Sequence, residues 1–184
     1  MKSLSTLLVA SALCLAQTAQ VFAGQTSVAL DITPQGSDTW LLSEITLDIN
    51  ASVNRLSEGS YELRGFCGKD SLFAPITLHG GEISIDGSDL RLTASPAGND
   101  YSVSVYAANP PQGGQNNFWL NLRGKDNSYS VSDMWINLRL DDTDVWGTFD
   151  AQRYPPCLSA GLAAVAIVAR DMQTPPPAQP KQDD

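Results

Sequence analysis

The octet Trp119-Leu120-Asn121-Leu122-Arg123-Gly124-Lys125-Asp126 recurs sixteen positions later as Trp135-Ile136-Asn137-Leu138-Arg139-Leu140-Asp141-Asp142. If both are strands, alternation sends Leu120, Leu122, Ile136, Leu138 and Leu140 to one face. Trp119, Asn121, Arg123, Trp135, Asn137 and Arg139 then share the other. The first set is core. The second joins two flat aromatic platforms to planar amide and guanidinium groups, which is the chemistry that stacks on a sugar ring or grips a peptide. The same side chains also have a structural use: Trp and Arg facing each other across a ladder give ~0.5–1 kcal/mol of cation–π attraction with no ligand. The isolated Trp40 and Trp146 are expected to pack. A second echo, Tyr101-Ser102-Val103-Ser104 against Tyr129-Ser130-Val131-Ser132, suggests a duplicated hairpin.

Catalytic chemistry has fewer candidates. A serine or cysteine nucleophile needs a base held against it, and His79 is the single histidine of the chain. Leu78-His79-Gly80-Gly81 shares its glycines with an esterase oxyanion loop, and Cys157-Leu158-Ser159-Ala160-Gly161 shares its Ser and Gly with a nucleophile elbow. The elbow has Cys157 where glycine belongs, and His79 precedes the serine instead of following it. A turn histidine is the better reading. Acid/base hydrolysis by two carboxylates is compatible with 20 acidic residues, although spacing does not say which two converge. Asp141-Asp142-Thr143-Asp144 and Asp86-Gly87-Ser88-Asp89 carry oxygen ligands, but a calcium loop begun at Asp142 would have Trp146 fifth and Arg153 twelfth, where acids are required. One histidine cannot complete a zinc site, and no phosphate-binding glycine motif occurs. No metal and no cofactor are expected.

Two elements must position these residues, a leader and a β-rich body. Met1-Lys2-Ser3, an apolar run of about 13 residues from Leu4 to Ala16, and Val21-Phe22-Ala23 before Gly24 form the layout of a secretory signal over residues 1–23. The run is shorter than the ~20 residues of a bilayer span, so no transmembrane anchor is expected in the mature chain. Cys14 belongs to that leader. Cys67 and Cys157 remain, and in an oxidising compartment the simplest use of one pair is a disulfide. Closing its 90-residue loop restricts the unfolded chain by about 4–5 kcal/mol.

Between the ends the apolar pattern has a period of two. Ile45, Leu47, Ile49, Ala51 and Val53 form its clearest stretch, and turn residues such as Asp86-Gly87 and Gly124-Lys125-Asp126-Asn127 separate such runs. The expected fold is all-β, an antiparallel sandwich or barrel of about 9–10 short strands in a single domain at 24–171. Leu158 to Ala169 is a continuous apolar run in which Val165, Ile167 and Val168 favour a strand and the alanines would suit a helix. Residues 172–184 carry four prolines among polar residues and read as a disordered proline-rich tail.

Removing Lys2 with the leader leaves 11 − 1 = 10 basic against 20 acidic residues. So acidic a surface repels phosphate backbones and anionic headgroups, which argues against nucleic acid as a partner. The composite expectation is a periplasmic or secreted non-catalytic module, from a bacterium if the short one-lysine leader is a guide. It would bind a glycan or another envelope or secreted protein through the Trp-Asn-Arg face. The alternatives are a structural or accessory subunit of a surface assembly and a carboxylate-dependent hydrolase.

Overall fold

A computed structural model describes residues 24–173. The leader expected at 1–23 lies outside the described residues, as does the tail expected at 172–184 beyond Met172 and Gln173. The described residues are nearly all β, a single closed antiparallel barrel of twelve strands. These are β1 (Gln25–Gln35), β2 (Thr39–Glu44), β3 (Ile49–Ser57), β4 (Ser60–Cys67), β5 (Asp70–His79), β6 (Glu82–Asp86), β7 (Leu90–Ala97), β8 (Asp100–Ala107), β9 (Asn117–Lys125), β10 (Ser128–Ser132), β11 (Ile136–Leu140) and β12 (Asp144–Asp150). Each strand pairs with its chain neighbours, and β1 pairs with β12 from Gln25 opposite Asp150 to Asp31 opposite Asp144, closing the wall.

Alternation decides what the wall encloses. Leu30, Leu42, Val53, Leu63, Ile76, Ile83, Leu92, Val103, Leu122, Leu138 and Val145 point inward and are almost fully buried. Their outward neighbours are largely Ser, Thr, Asn and charged residues, as in Ser102 and Ser104 of β8 or Arg91 and Thr93 of β7. A barrel that spans a membrane has the opposite polarity, with its apolar band facing out.

The interior is occupied by a helix, α1 (Leu158–Gln173), whose residues from Leu158 to Ala169 are all buried. It touches β1, β3, β4, β6 and β7, so it runs through the barrel and does not lie on it. The weighting of this segment toward a strand is corrected here. A helix that is apolar all round is one enclosed on all sides. With strand side chains already filling the lumen, the space left takes a thin helix, which the alanines and Gly161 provide. At Gly161 an added Cβ would lie 2.9 Å from a Leu92 methyl. Enclosure outweighs the weak helix preference of Val165, Ile167 and Val168, which is only ~0.5 kcal/mol each.

Cys67, the last residue of β4, pairs with Cys157 just before α1, with Cα atoms 5.7 Å apart. The disulfide pins the helix where it enters the barrel. At the exit, the Tyr61 hydroxyl donates to Asp171 at 2.6 Å, Arg55 reaches Asp171 at 3.4 Å, and Gln173 donates to the Tyr129 hydroxyl at 3.3 Å. The two barrel ends are therefore distinct, an entry end and an exit end.

The strand number exceeds the expected 9–10, partly because β2 carries no clear alternation, while the clearest alternating stretch begins in a turn. Residues 45–48 form a turn between β2 and β3, with Asp48 at φ +51° and the Glu44 carboxylate accepting from Leu47 N–H. Ile45, expected in the core, is 98% exposed. A turn can mimic two steps of alternation, so the pattern ran through it. The serine-rich β10 was visible only as an echo of β8. At Gly147 in β12, φ is +142° and a Cβ would collide with the Asn137 carbonyl oxygen, so glycine permits the close approach of β11.

Candidate functional site

The two echoes fall in two successive hairpins. β8 with β9, and β10 with β11, are hairpins built from a Tyr-Ser-Val-Ser strand and an octet strand. Their registers differ by two residues: Tyr101 sits opposite Leu122, at the fourth octet position, and Tyr129 opposite Leu140, at the sixth. A shift of two keeps every side chain on its expected face. It also moves the second tryptophan off the ladder. Trp119 stands within β9 opposite Ser104, whereas Trp135 lies in the bend before β11.

Both tryptophans end up at the entry end of the barrel, on one notch of about 280 Å3. The notch exists because β9 and β10 pair only through Arg123–Lys125 and Ser128–Ser130. Nearer the entry end the strands diverge, and the chain that follows β8 and the chain that follows β12 fill the gap. Tyr154 packs on Phe118 with ring centres 5.0 Å apart, and the Arg153 carbonyl backs onto Gly114. Trp119 is 72% exposed. Trp135 is half-buried, with the Arg153 guanidinium 3.7 Å above its ring. Arg153 is held in turn by Asp150 at 3.7 Å. The bend is fixed by Asp133, whose carboxylate accepts from Trp135 N–H at 2.7 Å and Ile136 N–H at 3.0 Å.

The octet face divides. Trp119 and Trp135 converge, but Arg123 and Arg139 lie toward the exit end, around a separate depression with Lys125 and Asp141. Asn121 and Asn137 are exposed between the two regions and reach neither. The expected Trp–Arg pairing across the octets does not form: Arg139 lies 6.0 Å from the ring of Trp146, and the cation over Trp135 is Arg153. Trp146, expected to pack, is half-exposed, while Trp40 does pack against the core. Arg153, Tyr154 and Phe118 escaped the sequence reading because they come from segments remote from the octets, and nothing periodic marks them.

No family model, curated protein or solved structure matches this chain. Function must therefore be sought in side chains.

The esterase-like fragments are separated by the whole barrel. His79 ends β5 in the exit-end turn to β6, while Ser159 lies at the entry of α1, buried, its hydroxyl donating to the Pro156 carbonyl at 3.0 Å. Cys157 is consumed by the disulfide. The acidic turn is a hairpin closed by Asp141 N–H donating to the Asp144 carbonyl at 2.8 Å. Burial first, then the charges of Asp141, Asp31 and Asp142, hold the Asp144 carboxyl above its ordinary range. Among the described residues no group of three or more His, Cys, Asp or Glu is arranged to hold a metal ion, and no helix is long and apolar enough to cross a membrane. What the entry-end notch offers is recognition chemistry: an exposed indole face, a second indole stiffened by a guanidinium, and a phenol.

Proposed function

We propose that this protein is an exported module, periplasmic or secreted, which binds a glycan or a protein partner non-catalytically through the notch around Trp119 and Trp135. The observation that carries the reading is Trp119, an indole 72% exposed at the edge of a concave notch that also holds Trp135 and Tyr154. An indole left in water at a concave site loses hydration when a flat or apolar ligand face covers it, and two χ angles cost little entropy to order. Export is supported by the leader-like start of the sequence and by the disulfide.

The entry-end rim also favours an accessory role in a surface assembly. Ile45, Phe66, Phe73, Tyr106, Trp119 and Met134 are all exposed and all belong to that end. A concentration of apolar groups at one pole is what a partner surface looks like.

Trp119→Ala separates the readings of the notch. Because the side chain is mostly in water, melting temperature should hardly change, while binding to an immobilised glycan panel or to envelope proteins should weaken at least about tenfold. Trp135→Ala should lower stability as well, since it removes the ring under Arg153. A folded Trp119→Ala protein with undiminished binding to every ligand of the wild type would refute the site.

A further inference from the structure

We infer that the ligand of the notch includes the proline run Pro175-Pro176-Pro177, contributed by a second copy of this chain; the inference rests on the notch being a binding site. The chain beyond Gln173 reads Thr174-Pro175-Pro176-Pro177-Ala178-Gln179-Pro180-Lys181-Gln182-Asp183-Asp184. Consecutive prolines prefer the polyproline II helix, which is ordered before it binds and keeps its carbonyls free of internal hydrogen bonds. Such a segment docks on surfaces where flat aromatics receive proline rings and nearby donors reach the carbonyls. The notch supplies both kinds of group. Trp119 presents an exposed ring face, Trp135 lines the notch beneath Arg153, and the Arg153 guanidinium is the charged donor beside them. Its volume of about 280 Å3 falls just below the roughly 300–1,000 Å3 of a cofactor or drug-sized site, which leaves room for a short stretch of peptide.

Geometry selects the second copy over the same chain. The segment starts at Gln173, which is tied to Tyr129 at the exit end, while the notch is at the entry end. The 16 residues of α1 separate the two ends by about 24 Å at 1.5 Å per residue. Pro177 is four residues past Gln173, so extended chain carries it at most ~14 Å away. Pro175, Pro176 and Pro177 thus cannot return to the notch of their own barrel. They can reach that of a neighbour stacked end to end, or of one lying antiparallel alongside. The first contact is heterologous and grows into a chain; the second closes as a dimer.

The test uses the full processed protein in sedimentation velocity over a wide concentration range, with a synthetic peptide of residues 174–184 as the probe. Wild type should associate with increasing concentration, and the peptide should disperse the associated species and shift the tryptophan emission. Trp119→Ala, and separately a triple change of Pro175, Pro176 and Pro177 to Ala, should each weaken association at least about tenfold. The triple variant leaves the barrel untouched, so a loss there is not a folding defect. A monomer at every concentration with unchanged emission on adding peptide overturns the inference. Association that survives the triple variant overturns it as well. In either case, a glycan or other protein whose binding still depends on Trp119 would leave the notch standing as a binding site with a different ligand.

Discussion

Asp144 opens β12 with one carboxylate oxygen buried and, among the described residues, without a hydrogen-bond partner. Water is removed from one side of the group, and Asp141, Asp31 and Asp142 surround it with like charge, which Arg139 only partly offsets. Its folded-state pKa is therefore above its unfolded value. Between the two values the folded protein holds more protons, so folding is favoured as the pH falls through that window and penalised once the group ionises. Asp144→Asn should then melt a few degrees above wild type at neutral pH, and the gap should close as pH falls through the carboxylate range. Parallel melting curves for the two proteins from acidic to neutral pH would remove the explanation. Nothing in the sequence marked Asp144 apart from its acidic neighbours, because partial burial of one oxygen depends on how a turn folds over it. Trp119 was legible for the converse reason: alternation alone puts it outside.

The helix within the barrel shows where reading by pattern stops. An apolar run from Leu158 to Ala169 has no polar face to reveal its period, so strand and helix look alike until an enclosure is known. The strands of the enclosure were mostly legible, since each has one wet face. The errors at Ile45 and at β10 arose where a turn kept the alternation going and where a strand carried mainly serine. Gly161 then has a physical reason to be glycine. It faces Leu90 and Leu92 of β7 so closely that a Cβ would press on both, while the helix itself would gain ~1 kcal/mol from alanine. The two effects nearly cancel, and Gly161→Ala should unfold in denaturant close to wild type. Gly161→Leu has no such compensation and should lose about 1–3 kcal/mol or more by overpacking. If the leucine variant matched wild type in chemical denaturation, α1 would not occupy so narrow a lumen.

Taken whole, the molecule is a closed wall around a helix, tied at one end by Cys67–Cys157 and at the other by tyrosine hydroxyls. Closure leaves no strand with a wholly free edge, so association has to use the ends, the outer side chains or the stretch where β9 and β10 part, and the entry end is the apolar one. The tyrosines buried near the two ends report on how far water penetrates there. Tyr61, Tyr101, Tyr129 and Tyr154 all have pKa values raised above the ordinary 10, in each case mainly by burial, with Asp171 adding to the effect at Tyr61. For an acid whose folded pKa is raised, the folded state retains its proton above pH 10 while the unfolded state gives it up. Stability is accordingly lost as the pH climbs from that point. In an alkaline titration followed at the phenolate absorbance band, the signal of these four groups should appear in one cooperative step, coincident with loss of the far-ultraviolet β signal. Tyr61→Phe should remove part of the step and, by ending the bond to Asp171, cost about 1 kcal/mol at neutral pH. Smooth ionisation of all four while the β signal stays intact would mean that water reaches these hydroxyls in the folded protein, and burial would no longer explain their raised pKa values.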